Sequence, residues 1–165
     1  MRIALFEPDI PQNTGAVLRL AACLGVDVDI IEPCGFVLDN KRLKRVGMDY
    51  LKAVDLTRHA SWARFVEARA HIGDGGRSVG RLVLLTTAAE TAYQDFRFAR
   101  DDVLLCGRES AGVPAEIHDA ADARIKVPMA HGARSLNVAM AAAIVLGEAL
   151  RQTGQLPGLL PGESA

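Results

Sequence analysis

The chain has 165 residues, half of them apolar and 24% charged with both signs mixed. That is the composition of one ordinary globular domain, which excludes disordered, collagenous and disulfide-stapled classes. The formal net charge of −1 gives no bulk attraction for nucleic acid, so a partner of that kind needs a local basic patch. The three cysteines, Cys23, Cys34 and Cys106, lie in separate apolar segments without a CxxC pair or matching histidines, and they read as reduced packing residues with no metal site. Only four residues separate Arg2 from Glu7, and the longest apolar run, Val138 to Gly147, is far short of a membrane span. The expectation is a cytoplasmic protein with no membrane partner.

In chain order, RIALFE (2–7) is bounded by Pro8 and Pro11 and suits a buried strand. From Asn13 the apolar period becomes helical, with Asn13 or Thr14 as the expected cap, a stripe of Ala16, Val17, Leu20, Ala21 and Leu24, and Gly25 as the stop. Residues 26–32 form a second expected strand, 39–47 a short basic helix and 50–56 a third strand. SWARFVEARA (61–70) is an amphipathic helix capped by Ser61. The glycine-rich segment 73–80 leads to strands at 81–87 and 102–107. A helix over 114–121 opens on Pro114, a short strand follows at 123–128, and a closing helix spans Ser135 to about Gln152 before Gly154. Strands alternating with helices predict an α/β fold, a mostly parallel sheet with helices on both faces. No repeat or linker divides it, so one domain is expected over 1–154, with 155–165 as a flexible tail.

In such sheets ligands bind beyond the carboxyl ends of the strands. The turns there read EPDIPQNTGAVLR, LLTTAAE, CGRESAGVP and VPMAHGARSLN. Neither common nucleotide motif is present: GDGGRSVG precedes a strand instead of a helix, and no GxxxxGK[ST] loop exists. Ser110 in GRESAG is one residue out of register with a GxSxG nucleophile elbow, which leaves a serine hydrolase as a lesser alternative. Taken one at a time, Ser135 reads as a helix cap, Arg134 as a solvated cation, Asn137 as a partner for a buried backbone group, Arg19 as a snorkelling side chain and Glu109 as a surface carboxylate. In combination, a helix apolar on nearly every face buries its polar first turn with it, and a polar group is expected to meet that turn.

Three of these segments, in this order, resemble the signature motifs of the SPOUT superfamily of RNA methyltransferases, in its 2′-O-ribose branch: NTGAVLR, LLCGRESAGVP and IKVPMAHGARSLNVAMAAAIVLGEAL. EPCGFVLDNKRLKRVGMDYL is similar to the segment that marks the small wobble-position enzymes acting on cytidine or uridine 34 of tRNA. The resemblance extends to about Gly154. It implies a trefoil knot in the carboxyl-terminal part, a homodimer, and S-adenosyl-L-methionine as methyl donor, with S-adenosyl-L-homocysteine as product. It implies cofactor contacts from Leu85, Thr86, Gly107, Val127, Ser135 and Leu136, and catalytic roles for Asn13, Arg19, Glu109, Ser135 and Asn137. The implied substrate is the anticodon stem-loop of tRNA, with the expected basic patch at Lys41, Arg42, Lys44 and Arg45. Ala139 departs from the serine common after the SLN triplet, and Arg108 is an unusually large cation at a variable place. Arg19 is the residue expected to activate the ribose hydroxyl, by electrostatics instead of proton abstraction, because a guanidinium is not deprotonated in a protein.

Overall fold

A computed structural model of the chain describes residues 1–38, 55–74 and 80–158. The expected basic helix at 39–47, and with it Lys41, Arg42, Lys44 and Arg45, lies outside the described residues, as does the tail beyond 158.

Strand β1, Arg2–Phe6, buries Ile3, Ala4, Leu5 and Phe6 in succession. A strand with no exposed face is one covered on both sides, and this sets the architecture. Helix α1, Pro11–Leu24, ends on Gly25, whose left-handed φ of 66° lets its N–H reach Ala21 O. The helix starts earlier than expected. Ile10 holds the cap position and Pro11 the first turn, where a missing N–H costs nothing. The Ile10 carbonyl takes the N–H groups of Asn13 and Thr14, so Asn13 is not a cap and its side chain is available elsewhere.

Strands β2, Asp27–Ile31, and β3, Leu56–His59, follow. Of the strand expected over 50–56, only Leu56 is part of β3; 50–54 are outside the described residues. Helix α2, Trp62–Asp74, is capped as expected, Ser61 Oγ accepting from the Arg64 N–H at 3.3 Å, and runs past the expected end at 70. Strand β4, Leu82–Leu85, stops two residues early because Thr86 turns the chain, its Oγ1 accepting from the Ala88 N–H. A two-residue strand, β5 (Thr91–Ala92), and a 3₁₀ turn at Tyr93–Asp95 had no periodic signal to reveal them. Strand β6 is Val103–Cys106 and β7 is Ala123–Lys126. Between them α3, Ala115–Ala120, takes Pro114 as its cap instead of in its first turn. Helix α4 is Val138–Thr153 with Gly154 as the left-handed stop.

The strands form one sheet in the order β3-β2-β1-β6-β4-β7-β5, every neighbouring pair parallel. Alternate residues divide the core. Ile3, Leu5, Val28, Ile30, Leu104 and Ile125 pack under α1 and α4, whereas Ala4, Phe6, Ile31, Leu84 and Leu105 pack under α2 and α3. At the amino ends of the strands, buried Asp102 accepts from both Arg81 Nε and the Ala99 N–H. The cysteines divide: Cys106 is a core residue whose thiol is pushed up to about 12 by burial, Cys34 is half-buried, and Cys23 is exposed, against the expectation of packing.

Candidate functional site

Because every strand of the sheet points the same way, the turns after β1, β4, β6 and β7 gather at one end. There they enclose a cavity of 390 Å³, within the usual range for a small-molecule site. Leu85, Thr86, Gly107, Val127, Ser135 and Leu136 all line it, and so do Asn13, Glu109 and Asn137. Of the residues expected to be catalytic, Arg19 alone stands apart. It is exposed on α1, and at 3.6 residues per turn it lies about 120° around the helix from Asn13.

The turn after β6 forms the floor. Arg108 and Gly112 exchange backbone hydrogen bonds, each N–H donating to the other's carbonyl at 2.9 Å. Gly112 adopts φ 67°, and a Cβ on Gly107 would come within 2.7 Å of the Gly112 carbonyl carbon. Glycine is required at 107 by close approach and favoured at 112 by its left-handed backbone.

Three side chains from distant segments form a chain of hydrogen bonds. Asn137 Nδ2 donates to Asn13 Oδ1 at 2.7 Å, and Asn13 Nδ2 donates to Glu109 Oε1 at 3.1 Å. Asn137 Oδ1 accepts from the N–H groups of Ala139 and Met140, at 2.9 and 3.3 Å. It is therefore Asn137, not Ser135, that caps α4: the apolar run begins at Val138, and the cap is the residue before it. Ser135 and Leu136 are exposed in the approach to the helix.

Asp9 was missed by the sequence reading, although it lies in the turn after β1 where Brändén's rule directs attention. Its N–H donates to Glu109 Oε2 and its Oδ1 accepts from the Glu109 N–H, both at 3.2 Å. The Ser110 hydroxyl also donates to Asp9, so it is committed there and a nucleophile role for Ser110 finds no support. Burial, and next the Asp9 carboxylate, raise the Glu109 carboxyl above its ordinary value. Asp9 is held down to about 2, chiefly by the Glu109 carboxyl and then by Ser110. A second missed pair is Arg108 with Glu7, 3.0 Å apart, where Glu7 has a left-handed φ of 42°. No group of three or more His, Cys, Asp or Glu side chains able to hold a metal ion occurs among the described residues.

A parallel α/β sheet with glycine-bounded turns around a small-molecule cavity defines a ligand-binding enzyme class, and the sequence specifies which one: the chain belongs to the SpoU rRNA Methylase family, whose profile matches residues 1–147. It is 54% identical over 163 residues to the tRNA (cytidine(34)-2′-O)-methyltransferase of Beijerinckia indica, covering 99% of this chain and 98% of that one. It is 40% identical over 156 residues to the enzyme of the same name from Escherichia coli K12, covering 93% and 94%. Among solved structures, one reported as giving insights into the 2-OH methylation of C/U34 on tRNA superposes with a TM-score of 0.81 at 40% identity, covering 92% of this chain and 94% of that one. The SpoU methyltransferase AviRb from Streptomyces viridochromogenes, in complex with the cofactor AdoMet, superposes with a TM-score of 0.83 at 28% identity over 92% of this chain and 57% of that one.

Proposed function

We propose that this protein transfers a methyl group from S-adenosyl-L-methionine to the ribose 2′-hydroxyl of the wobble nucleotide of tRNA, cytidine 34 or modified uridine 34, leaving S-adenosyl-L-homocysteine. The observation that carries the reading is the single cavity into which the turns after β4, β6 and β7 bring all six residues expected to touch the cofactor. The cavity fits the donor on its own terms: the turn that floors it folds tightly because residue 107 has no Cβ to strike Gly112, and Leu84, Leu85, Val113 and Val127 line it with apolar surface suited to a nucleoside. When bound, the sulfonium supplies an electrophilic methyl group.

What the chain's own residues do follows from the chemistry of a hydroxyl, which is a poor nucleophile until its proton is leaving. The site must hold the oxygen in line with the carbon–sulfur bond and stabilise the charge that develops on it. Arg19 is assigned the stabilising role. Glu109, Asn13 and Asn137 form the rigid support, since the bonds described above commit both ends of each amide. Ser135, exposed at the mouth of the cavity, orients the ribose. With Arg19 acting as an oxyanion donor, Arg19→Ala lowers turnover by roughly a hundredfold and leaves S-adenosyl-L-homocysteine affinity nearly unchanged.

The enzyme is read as a cytoplasmic homodimer of one domain, residues 1–154 with a tail at 155–165, in which the strand order β6-β4-β7 supports the knot implied by the resemblance. No helix among the described residues is long and apolar enough to cross a membrane. The dimer reading rests on Met140 and Ile144, apolar, one turn apart on α4 and 59% and 38% exposed, with Leu136, 42% exposed, just ahead of the helix. Arg19, exposed on α1 and absent from the lining of its own cavity, is read as serving the partner's. Anticodon stem-loop binding is assigned to Lys41, Arg42, Lys44 and Arg45, four cations in one short segment.

The deciding experiment is methyl transfer from labelled S-adenosyl-L-methionine to bulk tRNA, with digestion and identification of the labelled nucleoside. Label in 2′-O-methylated cytidine or uridine at position 34 is the expected outcome. A base-methylated product, or cofactor binding without any label, overturns the assigned reaction.

A further inference from the structure

Arg108 is the only cation among the described residues that line the cavity. Its backbone is fixed by the reciprocal bonds with Gly112, but its side chain is incompletely satisfied. One end of the guanidinium pairs with Glu7 at 3.0 Å, while Nε is buried with no hydrogen-bond acceptor. A guanidinium presents its five donors as a planar fork, and the arrangement it favours is two parallel bonds to a single oxyanion. The pose seen here forfeits Nε and engages Glu7 alone, and a buried donor without an acceptor is costly. A single oxyanion that accepts from Nε and a terminal nitrogen together would satisfy the donor that this pose leaves unmet.

We infer that Arg108 is the oxyanion-binding residue of the cavity, and that its guanidinium leaves Glu7 to grip a carboxylate or phosphodiester oxygen of a bound reactant. This rests on the methyl-transfer reading, in which both reactants carry such a group: the amino-acid carboxylate of the donor and the backbone phosphates of the RNA. The single cation in the lining supplies the charge that either would need, and the rigid loop beneath it supplies the orientation.

The test uses Arg108→Gln and Arg108→Lys in the full chain, with thermal melts to establish folding. Three affinities are measured: for S-adenosyl-L-homocysteine; for 5′-methylthioadenosine, which keeps the nucleoside and thioether but lacks the carboxylate; and for tRNA across a salt series. If the carboxylate is the partner, Arg108→Gln weakens S-adenosyl-L-homocysteine binding by about tenfold and leaves 5′-methylthioadenosine unchanged. If a phosphate is the partner, tRNA affinity falls and its salt slope shrinks by about one while both small molecules bind as before. In either case Arg108→Lys recovers part of the loss, because it restores the charge without the fork. Equal weakening of both small molecules, or no change in any of the three, overturns the inference. Wild-type protein that binds none of the three would instead overturn the methyl-transfer reading, since none of these measurements depends on turnover.

Discussion

Asn137 carries two jobs on one amide: its oxygen caps α4 and its nitrogen holds Asn13. The two separate by substitution. Asn137→Asp keeps the cap and removes the donor, so its melting temperature stays near wild type while turnover falls by about tenfold; Asn137→Ala loses both and also costs about 1 kcal/mol of stability. Melts and initial rates on the two variants check this, and equal loss of stability in both would refute the division. The Asp9 and Glu109 carboxyls predict opposite pH dependences. Asp9 is depressed from its ordinary 3.8 to about 2, so the stability it contributes is present above 3.8 and is lost as the pH falls through about 2. Glu109 is raised above its ordinary 4.5, so its contribution is greatest below that value and is lost as the pH rises through the folded-state value. Urea unfolding between pH 3.8 and about 2 therefore shows a shallower loss of stability for Asp9→Asn than for wild type. Parallel curves would remove Asp9 from the account. At this scale Asn13, Glu109, Ser135 and Asn137 were legible as residue types in ordered motifs. Their mutual bonds were not, because nothing in the order of a chain tells which amide turns toward which carboxylate across 96 or 124 positions.

The elements were largely legible in order and kind, and their starts were not. The starts of α1 and α4 differ from expectation for separate reasons: Pro11 opens α1 ahead of Asn13, and the Asn137 side chain, bonded to the Ala139 and Met140 N–H groups, holds the cap of α4 two residues after Ser135. The same helical period, applied to Arg19 and Asn13, would have put them on different faces. The turn after β6 gives a prediction of its own. Gly107→Ala drives a Cβ to within 2.7 Å of backbone, which costs about 1–3 kcal/mol and displaces the cavity floor. Gly112→Ala meets nothing within 4 Å but must hold φ 67°, which costs about 1 kcal/mol and leaves the cavity's shape intact. Binding of S-adenosyl-L-homocysteine is thus weakened by the first far more than by the second, as calorimetry on the folded variants will show. Equal effects would mean that the loop's rigidity matters and its clearance does not.

Across the molecule, alternation of strands and helices announced a doubly covered parallel sheet, but not its strand order. A buried parallel strand is apolar throughout, so its pattern carries no mark of its neighbours, and the placement of β4 between β6 and β7 is visible only in three dimensions. The proposed dimer is tested at this scale. Met140→Arg places a charge in the exposed apolar stripe of α4, and sedimentation is expected to show monomers; a dimer that persists would place the interface elsewhere. With Arg19 serving the partner's cavity, impaired Arg19→Ala and Asn137→Ala chains mixed under exchanging conditions exceed the mean of their separate activities, whereas an Arg19 that acts on its own chain gives no gain over that mean.

The bond between Asn13 and Asn137 spans 124 positions, and it has a consequence for synthesis. A ribosome that stalls anywhere before codon 137 leaves a chain lacking the whole of α4 and the far end of the Asn13–Glu109 support. Ala142, Val145, Leu146 and Ala149 of that helix complete the core on the α1 face of the sheet, so this face stays uncovered until the last helix is made.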